Sequence, residues 1–403
     1  MAVNSLTFEQ VSTVLTSIVK QATNQAVITP TDTASFVSVA QMALNASRDA
    51  LMNAISNILA RTIFSIRPYS AKMTGLEMDS FRWGNMMRKL SIADSDWQDD
   101  PAYAWPATYD SSQTGHETGD GYAIDPWTIK KPDILQTNFY GASVYFDEMS
   151  VFEDQIETAF QGPEQLGSFL TLLMTNLSNR LEMSNEGLRR GLVCNAIAAV
   201  KAENKTGRII HLLTEYNTAT GNSYTVNDIY TPSVFPGFVK WMYARIAELS
   251  DLFTANSTMF QTIVSSKNIL RHTPTEMQRI YMYSPMIRQI EARVLADTYH
   301  DTFLRFADVE ALPYWQSIDA RDTVKAKPVY TATDGTVTTG SNTTVSNVVG
   351  LMFDRDAMGM TILDRRVLST PLNTKGLYRN IHVHCKQRVF MDNTEKIALL
   401  QLD

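Results

Sequence analysis

Apolar residues recur at helical spacing in the first part of the chain. Thr7, with Gln10 three residues later, forms a capping-box pattern, and apolar residues then follow three and four apart: Val11, Val14, Leu15, Ile18 and Val19. This spacing predicts an amphipathic helix. Pro30 interrupts the pattern, and a second, longer helix is expected over about residues 33–63, ahead of Pro68.

The strongest helical pattern begins at Pro163. Leucines repeat every three or four residues from there: Leu166, Leu170, Leu173, Leu177, Leu181, Leu188 and Leu192. They predict a helix that reaches Val200 or beyond, which at the helical rise is a rod of roughly 50 Å. A coiled coil is the alternative interpretation, but the polar Ser184 and Gly187 lie on or near the seam and weigh against it.

Residues 76–135 lack such periodicity. Prolines, glycines and aspartates accumulate there, so the segment is predicted to be a long loop with little secondary structure of its own. Aromatic side chains on a loop favour burial against another surface. Those of this loop are therefore the candidate subunit-interface residues: Trp97, Tyr103, Trp105, Tyr109, Tyr122 and Trp127.

The remaining segments contain apolar and alternating runs that predict strands. One strand is expected over 134–146, and Asp147-Glu148 and Glu153-Asp154 are expected to begin short helical pieces. The other expected elements are a strand or buried segment at 208–213, a helix at 235–250, a strand at 279–283 with a helix from Ser284, a hairpin turn at Asp334-Gly335, strands at 348–353 and 358–363, and a long strand from Leu377 that breaks near Asp392-Asn393 before a closing strand.

Composition adds limits on the class of protein. Charged residues make up 19% of the chain, below the ~25% typical of soluble proteins. This low share suggests that other copies of the same chain cover much of its surface. The net charge of -7 weighs against a protein that wraps nucleic acid, which needs clustered positive charge.

No apolar run is long enough to span a membrane, and residues 1–10 do not predict a secretory signal. Cys194 and Cys385 form no CxxC pair, so buried thiols in a reducing compartment are expected.

Three segments, taken in order, resemble the major capsid proteins of tailed bacteriophages, which share the Hong Kong 97-type fold. The similarity is nearest to the subgroup from small short-tailed phages. The first segment is 137–152 leading into the helix at Pro163, the second is the strand and Ser-Pro helix of 279–294, and the third is 348–403, where Lys375-Gly-Leu-Tyr precedes a terminal strand. The resemblance does not extend to the Thr- and Gly-rich stretch 325–347.

The resemblance implies an α+β, Hong Kong 97-like fold with an N-terminal helical arm, an extended loop, a long spine helix and a mixed α/β axial domain. The corresponding division is an arm at 1–75, the loop at 76–135, a peripheral domain with the spine helix from 136–205 and 375–403, and an axial domain at 206–374.

The function that the resemblance implies is that of a major capsid (head) protein, whose copies form an icosahedral shell around the double-stranded DNA genome. The implied partners are other copies in pentamers and hexamers, a scaffolding protein, the portal and decoration proteins. DNA is enclosed without specific binding, no membrane or cofactor is involved, and the virion is assembled in the cytoplasm of the bacterial host. Some family members join subunits through a Lys–Asn isopeptide bond on the loop. No lysine lies between Lys89 and Lys130, so a non-covalent shell is expected.

Catalytic and metal-binding patterns are weak. His382 and His384 share one strand face, but zinc needs three or four ligands and no third is near in sequence. Glu117 and Asp120 could bind calcium, yet their spacing is not that of an EF-hand, and turns are the simpler interpretation. No P-loop, GxSxG, GxGxxG or HExxH motif is present.

Glycosidases use a pair of carboxylates. The carboxylate pairs Asp99-Asp100 and Glu153-Asp154 therefore keep a glycosidase as an alternative function. Three classes of function follow: a self-assembling shell protein, another virion component such as a tail or portal protein, and a hydrolase with an unrecognised site. The absence of catalytic motifs and the aromatic loop favour the first.

Overall fold

The computed structural model describes residues 8–23, 29–45, 71–78, 86–93, 127, 133–152, 154–155, 162–266, 269–293 and 308–403. Its helices are α1 (Phe8–Thr23), α2 (Thr33–Asn45), α3 (Pro163–Glu203), α4 (Leu212–Thr220), α5 (Val226–Ile229), α6 (Phe235–Thr254) and α7 (Ser284–Arg293). The first predicted helix is confirmed as α1. The second is confirmed as far as Asn45, and the rest of its expected length lies outside the described residues.

Strands form two larger sheets and three two-stranded ribbons. They are β1 (Glu77–Met78), β2 (Met86–Ile92), β3 (Ile134–Tyr140), β4 (Ser143–Phe152), β5 (Ile209–His211), β6 (Gln278–Tyr283), β7 (Asp308–Leu312), β8 (Val324–Ala326), β9 (Val329–Thr331), β10 (Val337–Thr339), β11 (Thr343–Val345), β12 (Val348–Asp354), β13 (Met358–Ser369), β14 (Tyr378–Met391) and β15 (Ile397–Gln401). The four-stranded sheet has the order β1-β13-β14-β4, and the five-stranded sheet has the order β5-β15-β12-β6-β7.

Helix α3 packs on both sheets. Its 41 residues make a rod of roughly 60 Å. The leucine stripe, through Leu177 and Leu181, packs against Val383 of the four-stranded sheet. The C-terminal half packs its apolar residues, among them Val193 and Ile197, in the core that also contains the strands β12 and β15. The predicted helix is confirmed, and its described leucines pack on a sheet of the same chain.

A second core lies between α6 and the five-stranded sheet. Phe238, Met242 and Ile246 recur at helical spacing on the buried face of α6. They pack in one cluster with strand residues that include Ile280 and Leu400. The helix predicted at 235–250 and the strand predicted at 279–283 are confirmed by this layer.

The strand expected over 134–146 is wrong in its bounds. Gly141 has a φ of +93°, a left-handed conformation that favours glycine, and it separates β3 from β4. Asp147 and Glu148, expected to begin a helix, lie instead in the middle of β4, opposite Val383 and His382. Burial of alternate residues against α3 outweighs the helical preference of this acidic pair.

The two sheets are not built from separate stretches of the chain on either side of residue 374. β13 precedes that point and lies in the four-stranded sheet, whereas β15 follows it and lies in the five-stranded sheet. In the described residues the chain therefore crosses between the sheets three times: through α3, after β12 and before β15. The last two crossings meet where the amide of Asp392 donates to the carbonyl of Ala357 at 2.7 Å.

The Thr- and Gly-rich segment forms two short ribbons. β9 pairs with β10 around the turn at Asp334-Gly335, as the hairpin signal predicts, and β8 pairs with β11. Asn195 of α3 ties this segment to the body, since its Nδ2 donates to the carbonyl of Val329 at 2.9 Å and its Oδ1 accepts from the Val329 amide at 2.8 Å.

Lys396 is a fully buried cation at the C-terminal end of α6. Its Nζ donates to the carbonyls of Phe253 at 3.0 Å and Ala255 at 2.7 Å, which the helix itself leaves without partners. Burial outweighs the attraction of Asp354 and Glu395 and lowers the pKa of Lys396 to about 8.

This shift predicts a pH dependence of subunit stability. Above about pH 8 the folded chain releases the Lys396 proton while the unfolded chain keeps it up to its ordinary value of 10.5. The free energy of unfolding should therefore rise with pH through that window. We expect the free energy of unfolding of the wild type minus that of Lys396→Met to grow from pH 8 to pH 10. The measurement is urea unfolding of unassembled subunits. A difference that is flat or falls over this range contradicts the assignment.

Candidate functional site

The chain is fixed to α3 where it enters the loop. The buried Arg189 donates from Nη1 to the carbonyl of Lys72 at 2.8 Å and from Nη2 to Oε1 of Glu77 at 2.7 Å. The amide of Met73 donates to Oε1 of Glu310 at 2.7 Å. Met73 has a φ of +62°, a strained conformation for this residue. These bonds hold the residues before the loop in one conformation.

The base of the loop is an antiparallel ribbon. β2 pairs with β3 from Met86 opposite Tyr140 to Ile92 opposite Ile134. The prediction of a loop with little secondary structure is therefore wrong near its start, where residues 76–78 belong to a 3-10 turn and to β1 and residues 86–92 form β2. Sequence reasoning missed β2 because its partner lies more than forty residues later in the chain.

The inner face of the ribbon is joined to the body by an ionic cluster. Lys89 Nζ lies 2.7 Å from Oδ2 of Asp392 and also binds Oε1 of Glu395. Arg271 binds the same Glu395 oxygen at 3.0 Å and donates from Nη2 to the Ser91 hydroxyl at 2.9 Å. Burial opposes the charge of Lys89, but the two carboxylates outweigh it and raise the pKa of Lys89. Burial also raises the pKa of Glu395, against the attraction of Lys89 and Arg271.

An aromatic contact supports the same face. The rings of Phe139 on β3 and Phe390 on β14 lie 5.3 Å apart between centroids, within the range of favourable ring pairs. Next to it, Arg388 Nε donates to the carbonyl of Gly141 at 2.8 Å. Apolar and polar contacts thus orient one face of the ribbon against the four-stranded sheet.

The outer face of the ribbon is exposed and carries large apolar side chains beside the polar Arg88, Gln136 and Asn138. Leu90 is 61% and Ile92 is 63% exposed, and Ile134 and Tyr140 are exposed on the partner strand. Large apolar side chains gathered on one face of a soluble protein usually mark an interaction surface. Polar and apolar residues alternate through Lys89, Leu90, Ser91 and Ile92. This alternation is the sequence pattern that indicates a strand with one apolar face here.

The predicted interface aromatics lie mostly outside the described residues: Trp97, Tyr103, Trp105, Tyr109 and Tyr122. Trp127 is described and is 85% exposed. An exposed tryptophan is compatible with a contact to another chain, and the role of all six stays a prediction.

The exposed face of the four-stranded sheet carries the two candidate metal ligands. His382 and His384 have ring centroids 6.2 Å apart, as the alternation predicts. His384 lies against the ring of Phe146 at 6.1 Å, and His382 Nδ1 lies 3.8 Å from Oε2 of Glu148. In the described part of the chain no three metal-ligating side chains come together.

Most of the other chemical candidates fall outside the part of the chain that the structure describes. Asp99-Asp100, Glu117, Asp120 and Glu153 lie outside the described residues. Cys194 and Cys385 are buried and unpaired. Burial raises the pKa of Cys194 to about 11, so its thiol is not a nucleophile at neutral pH. Across the described residues, we find no helix with the length and hydropathy of a membrane span.

Comparison with known proteins assigns the family. The family model of the Phi29-like phage major capsid protein matches residues 15–400. The chain belongs to this family. A search of curated proteins found no match.

Solved phage structures are similar to this capsid protein. The capsid structure of Staphylococcus phage Andhra has a TM-score of 0.50 and 11% identity, covering 83% of this chain and 84% of that chain. The structure of the head fiber and inner core protein gp22 of native bacteriophage P68 has a TM-score of 0.49 and 9% identity, covering 83% and 85%. The predicted α+β, Hong Kong 97-type fold is confirmed.

Membership of the family decides among the three classes of function. The protein is a phage major capsid protein, a structural component of the virion whose copies assemble into a shell. The tail, portal and hydrolase alternatives are not favoured.

The ionic cluster predicts how the ribbon responds to substitution. Lys89→Met leaves Asp392 and Glu395 buried with Arg271 as their remaining cation, and we expect it to lower the free energy of unfolding by about 2–3 kcal/mol. Arg88→Met is the matched control, because Arg88 is the adjacent residue on the exposed face and should change stability little. The measurement is urea unfolding of unassembled subunits. Equal effects of the two variants would show that the cluster does not hold the ribbon.

Proposed function

We propose that the protein forms an icosahedral shell of pentamers and hexamers that encloses the double-stranded DNA genome of a tailed phage. The observation that carries this proposal is the family match over residues 15–400, together with an apolar ribbon face that the subunit leaves exposed. Repeated symmetric copies supply a neighbour for every such face. Shells, rings and small oligomers differ greatly in size, so sedimentation and electron microscopy of the expressed chain test it.

The sheets support a revised division of the subunit. The peripheral domain consists of the N-terminal part of α3 with the sheet β1-β13-β14-β4, and the axial domain consists of α4 to α7 with the sheet β5-β15-β12-β6-β7. The arm α1–α2 lies against α3. We propose that the loop between β2 and β3 contacts an adjacent subunit.

The loop contributes to assembly rather than to subunit folding. Its six aromatic residues each bury ~150–250 Å² when covered, and leaving such apolar area in water costs about 25 cal/mol per Å². A neighbouring copy covers that surface, so its binding energy is realised in the shell. The candidates for this contact are Trp97, Tyr103, Trp105, Tyr109, Tyr122 and Trp127.

DNA is enclosed without specific binding. The net charge of -7 gives a mildly repulsive container rather than a surface that traps phosphates by counterion release. A scaffolding protein, a portal and decoration proteins complete the particle, and assembly takes place in the host cytoplasm. The two buried free thiols support assembly in a reducing compartment.

Removal of the loop should separate folding from assembly. We expect a variant with residues 96–124 replaced by a short Gly-Ser linker to stay soluble with near-native helix content by circular dichroism, since the clamped ribbon base is kept. The same variant should form no shells in sedimentation and electron microscopy. Unfolding would place the loop in the subunit core, and normal assembly would leave the aromatics without a role between subunits.

The shell should be non-covalent. No lysine lies between Lys89 and Lys130, and Lys89 is held by Asp392 and Glu395, so the middle and the tip of the loop have no amine for an isopeptide bond. Boiling purified particles in detergent should release a single band at the subunit mass of 45.2 kDa. A ladder of higher bands that survives reducing agent would refute this.

A further inference from the structure

Among the strands that the structure describes, β4 forms an edge of the four-stranded sheet with no further strand beside it. It is the last strand in the order β1-β13-β14-β4, and its ten residues pair with β14 in an unbroken register. It contains no proline, no lysine and no bulge, which are the features that protect natural edge strands from pairing with other chains. A long regular edge of this kind can form backbone hydrogen bonds with a strand of another chain.

The hydrogen bonds show which residues face that edge. The amide of Glu148 donates to Oδ1 of Asp147 at 2.9 Å, and the amide of Phe152 donates to Oε1 of Gln155 at 3.3 Å, so neither bonds to β14. Because the two sides of an antiparallel strand alternate, the even-numbered residues direct their backbone N–H and C=O groups to the open edge. Among them, Val144 is 67% and Phe146 is 62% exposed.

Strand β2 presents the matching edge on the ribbon. The amide of Ala93 donates to the carbonyl of Asp133 at 2.8 Å, so the odd-numbered residues of β2 bond to β3. The even-numbered residues Arg88, Leu90 and Ile92 direct their backbone groups outward and carry exposed side chains. Arg88 has no hydrogen bond or ion pair to any residue of the described chain.

Pairing of β4 with its own copy around a two-fold axis is unfavourable. Because even-numbered residues face the open edge, the alternation allows an even-numbered residue to lie opposite only an even-numbered one, and an odd-numbered residue opposite only an odd-numbered one. The two such registers that keep the strands fully paired place Asp147 opposite Asp147 or Glu148 opposite Glu148, and like charges directly opposite destabilise a sheet. The partner strand therefore comes from a different part of the second copy, which gives the head-to-tail contact that closed rings require.

We propose that β2 of one subunit pairs antiparallel with β4 of its neighbour and extends the four-stranded sheet across the subunit boundary. In the register that places Arg88 opposite Glu148, Leu90 lies opposite Phe146 and Ile92 lies opposite Val144. Opposite charges and large apolar side chains then meet on the same face, which is the arrangement that stabilises strand pairs. This inference rests on the proposed function, since it requires adjacent copies in a shell.

A charge swap tests the register. Arg88→Glu and Glu148→Arg should each place like charges opposite one another and reduce the yield of sedimenting particles by about tenfold. The double variant with both substitutions restores the opposite-charge pair and should restore the yield. Circular dichroism of all three variants should match the wild type, because both side chains are exposed. A double variant that assembles no better than the single variants would overturn the pairing.

A disulfide tests the contact directly. Residues in a hydrogen-bonded antiparallel pair have Cα atoms ~5.5 Å apart, within reach of a disulfide. Leu90→Cys with Phe146→Cys should give a ladder of linked subunits when assembled particles are oxidised and run without reducing agent. Ile92→Cys with Phe146→Cys, which is two residues out of register, is the control and should give much less.

The outcomes separate this inference from the proposed function. Shells that form from the double-cysteine chain but show no ladder overturn the pairing and leave the capsid function intact. A wild-type chain that forms only small oligomers overturns the proposed function, and the pairing with it.

Discussion

The packing of α3 against two sheets positions the rest of the subunit. Near its C-terminal end Val193 and Ile197 lie in the core of the five-stranded sheet, and nearer its middle Leu177 and Leu181 lie on the four-stranded sheet. Arg189, between these two regions, binds the chain that leads into the loop. One stiff helix therefore fixes both sheets and the start of the loop relative to one another, because close-packed interiors transmit displacement rather than absorb it.

The ribbon β2–β3 separates the interactions that fold the subunit from those that are free for assembly. Successive side chains on a strand point to opposite faces, so Lys89 and Phe139 contact the body while Leu90 and Ile92 remain in water. Substitutions on one face can thus change subunit stability with little effect on the other face. A capsid subunit has to fold by itself and also bind other copies of itself, and this separation allows both.

Local patterns predicted the helices and strands whose partners are near in sequence or whose apolar stripe is long. The leucine stripe of α3 and the break between β14 and β15 are examples. The rest depends on long-range contacts. β2 meets a strand more than forty residues away, Lys89 meets Asp392, and a glycine inside an apparently continuous strand ends it through its positive φ. The aromatic candidates of the loop follow from composition alone and stay a prediction.

The turn before β15 shows why specific polar contacts, and not apolar packing alone, determine the surface offered to a neighbour. Its sequence, Asp392 to Lys396, resembles an exposed loop, yet these residues are buried. Each charge has a partner: Asp392 binds Lys89, Glu395 binds Lys89 and Arg271, and Lys396 caps α6. Apolar burial is not directional, whereas charged hydrogen bonds fix geometry. The angle of the ribbon, and hence the direction of its exposed apolar face, is therefore set at this polar junction.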